Sequence, residues 1–455
     1  MNTIEKKIRI GIFFDGTGNN AQNALKRELS SEKTEGTGSY TIHTTNIYRL
    51  FKNYMQNSNE NTKAFYIEGI GTLDHNEDST TSAATGHDFW EGYSAKAKTQ
   101  KAFESLCNCL QEIALKNYEN TINLSITLDL FGFSRGAALA RNFANLITEK
   151  KTILKSILQN ERHSLNHLEI GFIGLFDTVE SIQLSTLNLS LEKVQAQGVF
   201  HLTAVHECRE NFPLTSIFTS VNHYTKAHEK GSGFHSSKNH FELRVPGAHS
   251  DVGGGYLKSE YEVKTINLKA TYTKDGAKTD AQQIIKNNPD FKSILDQLFF
   301  EFETKSIGFN TISRRKNVKG DLQYVYGNLM LEIGKKFGVP FHSEMFKNNH
   351  PLPDDLIDFS NVIKEQSTQL LKREEITFEL HNRLVALDQI LKNYIHISVS
   401  TRTIFNEEDT KKDESDSKPL LQQATNATTM VSSSVSKHLM VNRPTPNWQR
   451  QIKFI

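Results

Sequence analysis

The stretch LFGFSRGAALARNFANLI carries the sharpest chemical signal in the chain. Within it, Gly132-x-Ser134-x-Gly136 follows an apolar run and opens an alanine-rich segment of helical character. That is the setting of a nucleophile elbow, where a serine sits on a strained strand-to-helix turn. Side chains two residues to either side would collide across such a turn, which accounts for both glycines. The helix N-terminus favours negative charge beside the serine, and the backbone N–H of Arg135 is placed to hold an oxyanion. The competing reading is a glycine-rich turn with an ordinary serine.

A serine nucleophile needs a base and a group that orients the base. IGFIGLFDTV is an apolar run ending in Asp177. An unpaired carboxylate at a buried strand end is costly, whereas one that holds a histidine in one tautomer is compensated. Asp177 could instead cap a helix through Thr178 to Glu180, and Glu180 is the reserve acid. Of the seventeen histidines, His249 in FELRVPGAHSDVGGGY is the best placed. It follows an apolar run and precedes three glycines, whose flexible backbone can bring the ring over Ser134. Asp251 reads as structural, bonding backbone N–H groups of its own turn. The order Ser134, Asp177, His249 is the chain order of the α/β-hydrolase triad. No metal site is assigned, since H-E-x-x-H is absent and HECRENF and HEKGSGFH miss the helical spacing.

GIFFDGTGNN near the start raises a second question. Its D-G-T element is like the phosphate loops of phosphotransferases and actin-like ATPases, but their nucleophile loops usually carry a second acid where only Asp15 is present. No G-x-x-x-x-G-K-[ST] pattern occurs either. The other reading makes Asp15, Gly16 and Thr17 a loop beside the serine that supplies a second N–H to the oxyanion. Asp15 itself could do no more than pin the loop.

Positioning such groups calls for a particular scaffold. Ile8–Phe14, Ala64–Ile70, Ile122–Phe133, Ile170–Phe176 and Phe241–Val245 are continuous apolar runs, as strands covered on both faces should be. Helix-like segments such as Ala137–Ile147 lie between them. This rhythm predicts an α/β fold: a mostly parallel sheet flanked by helices, of α/β-hydrolase type, with the active residues past the carboxyl ends of strands. The two polar stretches HNEDSTTSAATGHDFWEGYSAK and HEKGSGFHSSKNH are loops and candidate lids. After Ser259 the rhythm changes, so residues 1–260 are read as a catalytic domain and 261–455 as a mainly helical accessory region. In the latter, Leu380, Leu384, Leu387, Leu391 and Tyr394 predict one long amphipathic helix. Residues 294–309, ILDQLFFEFETKSIGF, read first as a core helix and second as an apolar landing surface for lipid. Residues from about 406 to 437 lack apolar periodicity and read as flexible. The closing NRPTPNWQRQIKFI reads as docking back on the fold.

Composition narrows the partners. Fifty-three basic residues balance 52 acidic ones, so nothing marks a nucleic-acid binder. No apolar run reaches the roughly 18 residues of a membrane span, and MNTIEKKIRIGIFF reads as a first strand rather than a signal peptide. The cysteines Cys107, Cys109 and Cys208 are too few for a disulfide scaffold and fit synthesis in a reducing compartment.

Taken together, FFDGTGNN, YIEGIGT, GFSRGAA, GLFDTV and GAHSDVGGGY, in this order, resemble the bacterial type VI secretion lipase effectors of the GxSxG class. The resemblance is dense over the first 260 residues and thin through GNLMLEIGKKFGVPF, YIHISVSTRT and NRPTPNWQRQI. Ala248 stands where many relatives have valine. The resemblance implies an α/β-hydrolase catalytic domain whose triad is Ser134, Asp177 and His249, with no cofactor. It further implies phospholipase A-type activity on bacterial glycerophospholipids, synthesis in the cytoplasm, a secretion spike or adaptor as carrier, delivery into a rival's periplasm, and an immunity protein. The C-terminal region is assigned to membrane or partner docking by analogy alone. Two other readings stay open: a carboxylesterase on soluble esters, and a nucleotide-binding module built on the D-G-T loop.

Overall fold

The computed structural model describes residues 3–29, 38–55, 61–87, 91–116, 121–180, 187–219, 233–236, 238–265, 299–304, 309–399, 445 and 449–454. Strands run β1 (Thr3–Phe14), β2 (Thr62–Ile67), β3 (Thr121–Phe133), β4 (Ser164–Phe176), β5 (Ala196–Ala204), β6 (Leu214–Thr215), β7 (Phe234–His235) and β8 (His240–Val245). Beyond them lie β9 (Ser259–Thr265), β10 (Phe299–Thr304), β11 (Phe309–Lys319) and β12 (Ile452–Lys453). The helices are α1 (Ala21–Leu29), α2 (Asn46–Asn53), α3 (Thr80–Thr85), α4 (Ala95–Lys116), α5 (Arg135–Glu149), α6 (Lys151–Asn160) and α7 (His249–Gly253). The later ones are α8 (Leu322–Lys336), α9 (Ser343–Asn349), α10 (Asp354–Lys372) and α11 (Phe378–Leu391).

The main sheet has the order β2-β1-β3-β4-β5-β8-β7. Every pairing is parallel except the short β7–β8 edge. Apolar runs become strands here because helices cover both faces, and β1 and β3 are buried through their carboxyl halves. The chain leaves β1 to build β2 on one side and returns to build β3 on the other. The crevice beyond the carboxyl ends of β1 and β3 is therefore the topological switch point, where a parallel sheet of this kind opens to ligands. The loop starting at Asp15 and the turn at Ser134 both lie there.

One face of the sheet is covered by the long α4 with α5 and α6, whose buried side chains join the same cluster as Ile10, Ile126 and Ile173. On the other face, Phe13, Phe131, Phe172 and Phe200 share a core with residues of α8, α10 and α11 as far as Val399. Gly198 leaves the space that the Phe337 ring fills, within 2.3 Å of where a Cβ would stand.

Three expectations need correction. Phe299–Thr304, inside the stretch read as a core helix, is a strand, paired antiparallel with β11 in a three-stranded sheet with β9. The single helix predicted across Leu380 to Tyr394 and the residues before it is two helices. Arg373 takes a left-handed conformation, φ 63°, its N–H bonds back into α10, and the chain restarts as α11. The polar stretch read as a plain loop contains α3. The segment from 406 to 437 lies outside the described residues.

Candidate active site

Ser134 follows β3 directly and precedes α5, with φ 58° and ψ −128°, a conformation rare for any residue but glycine. The crowding that forces it is visible at both glycines. A Cβ on Gly132 would stand 2.5 Å from Ala137 Cα, and one on Gly136 would stand 2.3 Å from the Asp15 carbonyl oxygen and 2.4 Å from that of Phe14. The elbow is thus pressed against the end of β1. Its backbone is held by Ser134 N–H donating to the Phe176 carbonyl at 3.0 Å.

Asp177 follows β4 directly, fully buried, with φ 45°. His249 opens α7, and its Nδ1 stands 2.5 Å from Asp177 Oδ2. With the proton on Nδ1 facing the carboxylate, Nε2 is left bare to act as a base. The imidazole lies 4.5 Å, centroid to centroid, from the ring of Phe133, the residue immediately before Ser134, and 5.1 Å from that of Phe212. Gly253 lets α7 reach this position, since a Cβ there would stand 2.0 Å from the Phe133 ring. The structure thus pairs His249 with Asp177 and sets its ring against Phe133, the neighbour of Ser134. Glu180 does not join them; it faces Lys453.

The electrostatics follow from burial. Arg450 and His249 hold the Asp177 carboxyl far below the usual range against the cost of burial. Burial lowers the His249 pKa, and Asp177 opposes that. Asp251 accepts from the Ala248 N–H at 2.8 Å, as expected of a structural residue. It also binds His396 through Nδ1 at 2.7 Å and backbone N–H at 2.9 Å, which ties α7 to the chain after α11.

The β1 loop divides its donors unequally. Asp15 N–H bonds the Ile67 carbonyl, and Gly16 N–H bonds the carboxylate of Asp15 itself at 2.7 Å. That carboxylate also accepts from Thr45 at 2.7 Å and Tyr66 at 2.6 Å, and burial raises its pKa to about 6. Asp15 therefore pins the loop, and neither it nor Gly16 has an N–H left for an oxyanion. Thr17 differs: its buried hydroxyl has no hydrogen-bond partner among the described residues. The Arg135 guanidinium turns away from the elbow to the carbonyls of Ala83 and Ala84 in the last turn of α3, and burial lowers its pKa to about 10.

Two supporting groups have no local sequence signal. His201 Nε2 accepts from the Thr178 N–H at 3.0 Å while Nδ1 faces Glu242 at 2.8 Å, a buried platform beside Asp177. Arg450 reaches Asp177 from the far end of the chain. Among the described residues no cluster suited to a metal ion is present, and no helix is long and apolar enough to cross a membrane.

A family model of the type VI secretion phospholipase effectors, Tle1-like, catalytic domain, matches residues 8–158 and 149–273. The chain belongs to this family. Its matched part spans the elbow, Asp177 and His249, so this is the Tle1-like catalytic domain of a phospholipase effector. Among solved structures, the chain is similar to a Tle1 effector bound to the VgrG spike of the type 6 secretion system. The TM-score is 0.68 at 22% identity, covering 100% of this chain and 95% of that one. At that identity the match speaks for a shared fold. An uncharacterized protein from Pseudomonas aeruginosa matches at TM-score 0.34 and 15% identity, over 85% of this chain and 62% of its own. A search of curated proteins gave no match.

Proposed function

We propose that this Tle1-like effector is a serine-dependent phospholipase of the A type acting on bacterial glycerophospholipids. The observation that carries the reading is the Asp177–His249 pair, at 2.5 Å, whose ring lies against the residue adjoining Ser134 on a strained elbow. Ser134 Oγ attacks an acyl ester carbonyl while His249 Nε2 takes its proton and Asp177 steadies the imidazolium. The tetrahedral oxyanion is held by the Arg135 N–H, the first of the unpaired N–H groups of α5, and by Thr17. His249 then protonates the departing lysophospholipid alkoxide, leaving an acyl-serine. Water, activated by the same histidine, releases the fatty acid and restores the serine.

The nucleotide-binding reading has less support, because the Gly16 N–H that a phosphate would need is spent on Asp15. The likeness to a spike-bound Tle1 effector supports carriage on a VgrG-type spike. Synthesis in the cytoplasm, a target in a rival's periplasm and protection of the producer by an immunity protein complete the reading.

The test uses phosphatidylethanolamine vesicles incubated with wild type and Ser134→Ala, with products read by mass spectrometry. Lysophospholipid and free fatty acid should form with wild type and vanish with Ser134→Ala while the chain stays folded. Full activity in that variant sinks the proposal. Hydrolysis of short soluble esters with intact vesicles would instead favour a carboxylesterase.

A further inference from the structure

We propose that Arg450 is a positioning residue for the catalytic acid, delivered by a strap at the far end of the chain. Its guanidinium would fix the plane of Asp177 and temper the pull of that carboxylate on His249. The inference rests on the serine-esterase reading above.

Asp177 is gripped at two points. Arg450 Nη1 stands 2.5 Å from Oδ1 and Nη2 stands 2.9 Å from Oδ2, the same oxygen that His249 Nδ1 approaches. The fork is itself held, with Nε donating to the Phe212 carbonyl at 2.9 Å and Nη1 to that of Ala204 at 3.3 Å. A planar fork matched to a carboxylate fixes its orientation in a way a lone ammonium does not. The strap that carries it is built in. β12 pairs in parallel with β6, Leu214 N–H bonds the Gln451 carbonyl at 2.8 Å, and Ser216 N–H bonds that of Lys453 at 2.9 Å. β6 in turn bonds the residues just after Asp177, through Thr215 N–H to the Thr178 carbonyl at 2.9 Å and a bridge from Leu214 to Val179. Strap, β6 and catalytic acid thus form one hydrogen-bonded unit.

The arrangement changes the chemistry of the pair. In a plain triad the whole charge of the acid faces the imidazole and favours its cation. Here a buried cation shares the carboxylate, so the base protonates less readily. The other charged groups facing His249 are Arg209 and Glu207 from the segment after β5, paired with each other at 2.8 Å, while Asp251 on α7 itself is engaged by His396. Arg450 is therefore the charged partner whose loss leaves the carboxylate to His249 and to the Ala204 N–H, which donates to Oδ1 at 2.9 Å.

The test compares wild type, Arg450→Met and Arg450→Lys in the full chain. Hydrolysis of p-nitrophenyl butyrate is followed against pH and normalised to active sites counted with a fluorophosphonate. With methionine, kcat should fall about tenfold with KM little changed, and the acid limb of kcat/KM should move up by about one pH unit. Lysine, which keeps the charge without the fork, should hold the limb at its wild-type pH while kcat stays lowered. A purely structural arginine would lower the yield of folded protein yet leave kcat and the limb unmoved, which overturns the proposal. Should the methionine variant fail to fold, the lysine variant decides: lowered kcat supports the proposal, and wild-type kcat overturns it. NMR titration of His249 with labelled histidine needs no turnover and should show the same upward shift. If Ser134→Ala keeps its rate, the esterase reading fails, and the titration still judges Arg450.

Discussion

His249 sits between two opposed forces. Burial in a pocket walled by Phe133 and Phe212 disfavours its cation, Asp177 favours it, and burial prevails. A base must be neutral to accept the serine proton, so a lowered pKa extends activity toward acid. The acid limb of kcat/KM should therefore fall below pH ~6.5, the value of an unperturbed histidine. A limb at or above that pH would show that the carboxylate outweighs burial. Each residue of the proposed triad carries its own local signal in the sequence: a glycine-flanked turn, an acid closing an apolar run, a histidine before three glycines. Their supports do not. Arg450, His201, Thr45 and Tyr66 act through partners far away in the chain, and nothing in their neighbouring residues foretells this. The D-G-T loop was legible as a wall of the site, whereas the division of labour within it depended on where the Asp15 carboxylate turned.

Among the elements, the contact between α5 and the end of β1 decides the geometry. It is made through Gly136, where even a methyl group would meet the carbonyls of Phe14 and Asp15. Gly136→Ala should push the β1 loop off the elbow. We expect at least a hundredfold loss in fluorophosphonate labelling rate and a loss of about 1–3 kcal/mol in stability by urea unfolding. Labelling at the wild-type rate would show that the loop takes no part in the site. The same scale explains what was misread. β5 was absent from the predicted strands because Gly198 and His201 interrupt its apolar run; Phe337 fills the space at the first, and Glu242 partners the second. FFEFET alternates with a period of two, a strand signal, but the apolar residues before it suggested a helix. The helix break at Arg373 lay hidden because apolar residues recur at helical spacing on both sides of it, Phe359, Val362, Ile363 and Leu370 before and Leu380, Leu384, Leu387 and Leu391 after.

For the whole molecule, the shift in sequence rhythm near residue 260 is crossed by a continuous core. Phe131, Phe172 and Phe200 on the sheet pack in one cluster with Met330, Phe359 and Ile363. A chain cut after residue 260 would bare that aromatic face to water. It should aggregate rather than fold, while the full chain should unfold in a single calorimetric transition. A soluble, cooperatively folding fragment of residues 1–260 would refute this. The β6–β12 pairing adds a consequence in time. Asp177 and Arg450 are separated by 273 residues. At the pace of a bacterial ribosome the second is added roughly 15–55 s after the first. Over the last 201 residues of that span, from His249 to Arg450, serine, acid and histidine have all been made, yet the guanidinium that grips the acid has not. A nascent or prematurely terminated chain thus lacks the grip on Asp177, which forms only after synthesis has reached the strap.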